Sequence, residues 1–195
     1  MRFPNLELNL PNWLEEYVEN AGGVYPTVED RMRFVVELSR MNVRQETGGP
    51  FGAAVFDRGT GELLAPGVNL VTSANCSVAH AEIVALAIAQ QVIGSFDLGG
   101  PGRPHYELVA STEPCAMCLG ATPWSGVRSL VTGARGEDAE QIGFDEGLKP
   151  SGWERSFIDS GISVTRDVLR EEAAAVLKEY ASLGGEIYNS REEDS

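Results

Sequence analysis

Two cysteines three residues apart, Cys115 and Cys118, follow directly on Pro114, and well upstream a histidine and a glutamate stand two apart, His80 and Glu82. A C-x-x-C outside a disulfide framework does either metal or redox chemistry, and its surroundings decide which. Pro114 suits the first turn of a helix. At such a helix start both sulfurs face one side and reach one ion, and the N-terminus favours the thiolate that zinc requires. His80, opening a second helix, supplies a neutral nitrogen as third ligand. Three protein ligands leave a fourth tetrahedral position open for water, as in catalytic zinc sites. Glu82 points away from the imidazole but toward the same cavity, so it is placed to take a proton from water and pass it to a leaving group. Zinc assists by bringing the pKa of its water to about 7.

A redox pair needs no His-x-Glu partner. A structural zinc site wants a fourth Cys or His, and the spares, Cys76 and His105, lack motif spacing. They read as an ordinary loop residue and an ordinary strand-start residue.

The elements that must hold these residues follow from periodicity. Residues 1–26 read as an N-terminal extension, with Asn12 and Glu15 at capping spacing and Trp13, Leu14, Tyr17 and Val18 as a short apolar stripe. A helix runs from Thr27 to about Gln45 and ends at Gly48-Gly-Pro50. Phe51–Asp57 and Glu62–Leu70 read as strands of a hairpin, followed by a polar loop over 71–77. Ala79–Ile93 reads as a helix buried on most sides, and 94–104 as a Gly/Pro loop. Further strands are expected at His105–Thr112, Val127–Gly133 and Gly161–Arg166. Short helical pieces are expected around Glu137–Ile142 and Trp153–Ser160. An amphipathic helix over Val168–Leu183 closes at Gly184. Glu186–Asn189 reads as a last short strand and 191–195 as a frayed tail. Strands alternating with helices predict an α/β sandwich with helices on both faces of a mixed sheet.

With 195 residues, 43% hydrophobic and 23% charged, the chain is one domain's worth with ample core. It has no apolar run long enough for a membrane span, and its N-terminal residues lack the pattern of a signal peptide. A soluble, cytoplasmic protein is expected. The net charge of −14, from 29 acidic against 15 basic residues, argues against a nucleic-acid partner, which needs Lys and Arg on the phosphates. Small, uncharged substrates fit best.

His80-Ala-Glu82 and Pro114-Cys-Ala-Met-Cys118 together match the H-x-E…P-C-x-x-C signature of zinc nucleobase deaminases. At these residues the chain resembles the cytidine deaminase-like superfamily, and within it the short bacterial guanine deaminases, some of which accept s-triazines such as ammeline. The likeness runs from about Arg31 to Asn189. It is carried by Gly48-Gly-Pro-Phe-Gly52, Gly67-Val-Asn69, Ala79-His-Ala-Glu82, Glu113-Pro-Cys-Ala-Met-Cys118, Trp124 and Gly143-Phe-Asp-Glu-Gly147.

The resemblance implies a three-layer α/β/α fold over residues 27–190, with about five strands, one zinc ion and a homodimer. It implies hydrolysis of guanine to xanthine and ammonia. Glu82 and Glu146 would be catalytic, with Asn69 hydrogen-bonding the purine and Phe51 stacking on it. Ala81, Phe144, Asp145 and Trp124 would lie against the substrate, and Tyr188 would close the pocket. The plainer readings are core packing for Phe51 and Tyr188 and a solvated loop carboxylate for Glu146. Adenosine in tRNA, cytosine and pterins are the other rings such a zinc centre serves, and a zinc scaffold without catalysis would have no need of Glu82. Ala116 stands where many relatives have Pro, and Glu146 where some have Asp.

Overall fold

The computed structural model describes residue 3 and residues 7–189. Side-chain alternation along the strands builds its layers. On β1 (Gly52–Asp57), Ala53 and Val55 face one side of the sheet, joined there by Leu108 and Ala110 of β3 (Tyr106–Thr112) and Leu130 of β4 (Ser129–Ala134). That side is covered by α3 (Ala81–Ile93), through Ala81, Ala85 and Ala89, and by Leu119 of α4 (Ala116–Ser125). Ala54, Phe56, Val109 and Val131 face the other side, under α2 (Val28–Arg44) and α7 (Arg170–Ser182). Two cores back to back on one sheet make the expected α/β/α sandwich.

The five strands run in the order β2-β1-β3-β4-β5, with β2 at Leu63–Val68 and β5 at Ser163–Thr165. β1 is antiparallel to β2 and β3, while β3, β4 and β5 are parallel. Two short helices, α5 (Gly136–Glu140) and α6 (Trp153–Asp159), fill the connection between β4 and β5.

α2 starts where its sequence says it should. Thr27 accepts from the Asp30 backbone N–H, and the Asp30 carboxylate accepts from the Thr27 N–H, a closed capping box. The helix ends in a Schellman turn. Glu46, at φ 54°, donates to the Val43 carbonyl and Thr47 donates to that of Asn42, both at 3.0 Å. Across the sheet, Arg31 Nε donates to the buried Glu107 carboxylate of β3 at 2.9 Å, and Ser129 Oγ donates to the same carboxylate at 2.7 Å.

The N-terminal residues are part of this packing. Helix α1 (Asn12–Asn20) buries Leu14, and Tyr25 packs its ring tilted against Phe34, 4.7 Å between centroids, and edge-on to Phe56 at 5.5 Å. Val24 forms a β-bridge to Glu62.

One expected element is not a strand. Residues 186–189 form no strand ladder, because their groups bond elsewhere. The Glu186 carbonyl accepts from Tyr180 Oη (2.7 Å), and Asn189 accepts from the Asp145 N–H and donates to the Gly143 carbonyl. The frayed tail expected at 191–195 lies outside the described residues. Among the described residues no helix is long and apolar enough to cross a membrane.

Candidate active site

Two helix starts converge at the C-terminal end of β3. His80 is the N-cap residue of α3, Cys115 is the N-cap residue of α4, and Cys118 lies in the first turn of α4. α3 can come this close because β2 carries Gly67, where a Cβ would stand 2.3 Å from the Ala81 carbonyl oxygen and 2.6 Å from the Ala85 nitrogen. Pro114 precedes the cap instead of standing in the first turn.

His80 Nδ1 lies 3.5 Å from Cys115 Sγ and 3.7 Å from Cys118 Sγ, and all three donor atoms fall within 4.8 Å of one another. A tetrahedral zinc with ordinary Zn–N and Zn–S bonds holds nitrogen and sulfur about 3.6 Å apart. The donor set therefore fits zinc without rearrangement, with Nδ1 as the ligating nitrogen. The thiols are already split: a hydrogen bond from Cys118 holds the Cys115 thiol down at about 4, helped by His80, while the same bond and burial push Cys118 up.

These groups open onto a cavity of about 350 Å³ lined by Phe51, His80, Glu82, Cys115, Phe144, Asp145, Glu146 and Tyr188, among others. That is the size range of small-molecule sites. Glu82 is 7% exposed, and burial, then the charge of Cys115, raises its pKa while His80 lowers it. Glu146 is also buried, and burial lifts it to about 7 against the opposing pull of Lys149, whose Nζ lies 2.7 Å from Oε2. A carboxyl group that changes charge near neutrality is a usable acid and base.

The apolar wall is built from rings. Phe144 meets Phe51 and Tyr188 edge-on, each at 5.0 Å between centroids. Tyr188 Oη is buried with no hydrogen-bond partner among the described residues.

Besides the metal ligand Cys118, which is fully buried, three of the residues expected at the site do not line the cavity. Ala81 is fully buried behind His80, its carbonyl pressed toward Gly67. Asn69 is fully buried between Phe51 and Val71, with Oδ1 accepting from the Val71 N–H (3.2 Å) and Nδ2 lacking a partner among the described residues. Trp124 is 87% exposed on the outside of α4. Six residues past Cys118, it is turned roughly 240° around the helix and about two turns along it, so within one chain it faces away from the cavity.

Sequence reading gave no role to Lys149 or Glu113. The Lys149 ion pair has a local signal, its position three after Glu146. Glu113 is buried, accepts from the Gly136 N–H at 3.1 Å and pairs with Arg166, which also pairs with Glu154. Those partners are distant in sequence and leave no local pattern.

Residues 26–134 match the family model of the cytidine and deoxycytidylate deaminase zinc-binding region. The guanine deaminase of Bacillus subtilis (strain 168) is 36% identical over 118 residues, 60% of this chain and 71% of that protein. A solved structure of guanine deaminase from Nitrosomonas europaea is 47% identical and superposes with a TM-score of 0.86, covering 91% of this chain and 97% of that one. Another solved relative, in complex with 2,6-diaminopurine, is 48% identical with the same TM-score and covers 95% of this chain and 97% of that one. The paired helix starts, their zinc-fitting donors and these likenesses agree: the chain belongs to the cytidine and deoxycytidylate deaminase zinc-binding family and is a zinc-dependent hydrolytic deaminase.

Proposed function

We propose that the protein hydrolyses guanine to xanthine and ammonia, with s-triazines such as ammeline as further substrates. One observation carries the reading: a second buried carboxylate, Glu146, faces the same cavity as Glu82, and its neighbour Phe144 forms the ring wall. The likeness to guanine deaminases over nine-tenths of the chain supports it.

The reaction bonds the oxygen of water to C2 and breaks the bond from C2 to the exocyclic nitrogen. Of the water's two protons, one ends on ring nitrogen N3 and the other on the departing ammonia. Two proton transfers call for two carboxyl groups with different surroundings. Glu82, beside the metal ligands, takes the proton from water, and Glu146, across the cavity, holds and returns a proton at the purine edge. His80, Cys115 and Cys118 hold the zinc ion, which supplies Lewis acidity that brings the pKa of water to about 7. Asn69 lies just behind the cavity wall, between Phe51 and Val71, and its Nδ2, buried with no hydrogen-bond partner among the described residues, is the donor it would offer to a purine acceptor atom. Phe51 and Phe144 pack on the ring, and Tyr188 with Asn189 closes the cavity on the C-terminal side and keeps water out.

The finer setting is part of the same proposal. The exposed Trp124, with Phe96 and Val92 also exposed, suits association of two copies, and the thiolate ligands suit a reducing, cytoplasmic setting.

Turnover of guanine, ammeline, cytosine, adenine and a pterin, compared at equal concentration, tests the substrate. Guanine should lead by at least about tenfold; a preference for cytosine or adenine would refute the purine assignment.

A further inference from the structure

The two chain segments that carry Phe51 and Asn69 are joined by one buried side chain that the chemistry does not use. Asn42, fully buried near the end of α2, donates from Nδ2 to the Gly49 carbonyl and to the Asn69 carbonyl, both at 2.9 Å. Gly48 leaves room for this: a Cβ there would stand 2.0 Å from the Asn69 oxygen and 2.8 Å from Asn42 Nδ2.

Two carbonyls only accept, so the Asn42 amide presents Nδ2 to them and leaves Oδ1 facing Thr47, where a donor holds the side chain from its other end. Trp13 Nε1 donates to Thr47 Oγ1 at 3.0 Å. An indole nitrogen can only donate, so Thr47 accepts there and its hydroxyl proton is free to point at Asn42 Oδ1, 2.7 Å away. With Oδ1 committed, Nδ2 must face the wall. The Schellman turn at Glu46 brings Thr47 back over Asn42, so the relay depends on that left-handed residue.

We propose that Asn42 is a positioning residue for the purine-contacting wall, and that helix α1, through Trp13 and Thr47, sets its orientation. The N-terminal segment thus acts on substrate binding through three side chains, without touching substrate. The inference rests on the placement of Phe51 and Asn69 against the purine proposed above.

The test is steady-state kinetics on guanine with zinc-loaded Trp13→Phe, Thr47→Val and Asn42→Asp variants, with zinc content measured for each. Trp13→Phe keeps an aromatic ring in the contact and removes the donor. It should raise KM several-fold and leave kcat within about twofold, with zinc at one per chain. Asn42→Asp turns two donations into repulsions and should raise KM about tenfold or more, as expected for losing a buried hydrogen bond. Adding Trp13→Phe to Asn42→Asp should have little further effect, because both cut the same relay. Unchanged KM in Trp13→Phe and Thr47→Val, or strict additivity in the double variant, would overturn the proposal. If Asn42→Asp does not fold, the other two variants still decide. If the wild type leaves guanine untouched, the substrate assignment fails on its own. The relay is then judged by hydrogen exchange of the Asn42 side-chain amide, slow in the wild type and fast in Trp13→Phe if the proposal holds. Equal exchange in the two would sink it.

Discussion

The backbone N–H of Ala116 donates to the carbonyl of Glu146 at 2.9 Å. Ala116 opens the helix that carries Cys115 and Cys118, so the loop bearing the second carboxylate is clamped to the metal ligands themselves. Gly147 donates to Asp145 Oδ1 at 2.8 Å and tightens the same turn. The metal end of the cavity and its acidic wall therefore move together, and a disturbance of either reaches the other.

Glu82→Gln should keep one zinc per chain, since Glu82 contributes no ligand. Its kcat should fall by about 10²–10⁴-fold, the usual worth of a positioned general base. Kinetics with parallel metal analysis checks this. Zinc-loaded Glu82→Gln protein with near-normal kcat would remove Glu82 from the mechanism.

Stripping zinc should cost stability as well as activity, because the donors converge only in the folded chain. Chelation should lower Tm by about 5–10 °C, the effect of losing a ligand held at roughly a hundred times its Kd in a domain of this size. Added zinc should restore it. A Tm indifferent to chelator, at zero measured zinc, would contradict the site.

The pKa of Glu146, lifted by burial to about 7, stands above the roughly 4.3 of a free glutamate. Between those values the folded chain binds the proton more tightly than the unfolded chain. Its stabilising contribution is then full below about 4.3 and is lost as pH rises through about 7. Glu146→Gln, which cannot ionise, should gain Tm relative to the wild type between pH 5 and pH 8. A gap that stays constant over that range would show that Glu146 is charged throughout, with no raised pKa in the folded chain. In Lys149→Met, the loss of the ammonium should move the Glu146 titration upward, read as a shift of the kcat profile to higher pH.

Gly67→Ala places a methyl against the Ala81 carbonyl, backbone that cannot step aside. A destabilisation of about 1–3 kcal/mol is expected, with weaker zinc affinity because α3 carries His80. Denaturant melts and a zinc titration measure the two effects. Wild-type zinc affinity in a stable variant would show that His80 does not depend on this close approach.

The zinc ligands were legible in the sequence because their geometry is local. Cys115 and Cys118 share one helix turn, and His80 and Glu82 straddle one helix start. The sheet was legible for a similar reason, since Ala53 and Val55 alternate with Ala54 and Phe56. Long-range pairing was not legible. Asn42 meets Asn69, Glu113 meets Arg166, and Asn189 meets the 143–145 loop only after the chain has folded. Residues 186–189 misled because Tyr188 packs on Phe144 and Glu186 and Asn189 bond to Tyr180 and the 143–145 loop instead of joining a strand ladder. Trp124 lies on α4, but its side chain lies on the outer face of that helix, away from the cavity.

The most direct measurement is ammonia release from guanine by the zinc-loaded wild type, with xanthine followed in the same reaction, beside Glu82→Ala and Glu146→Ala. Ammonia and xanthine in equal amounts, abolished in the Glu82 variant and strongly reduced in the Glu146 variant, is the predicted result. Guanine left intact while another amino-heterocycle is deaminated would keep the zinc chemistry and contradict the guanine assignment.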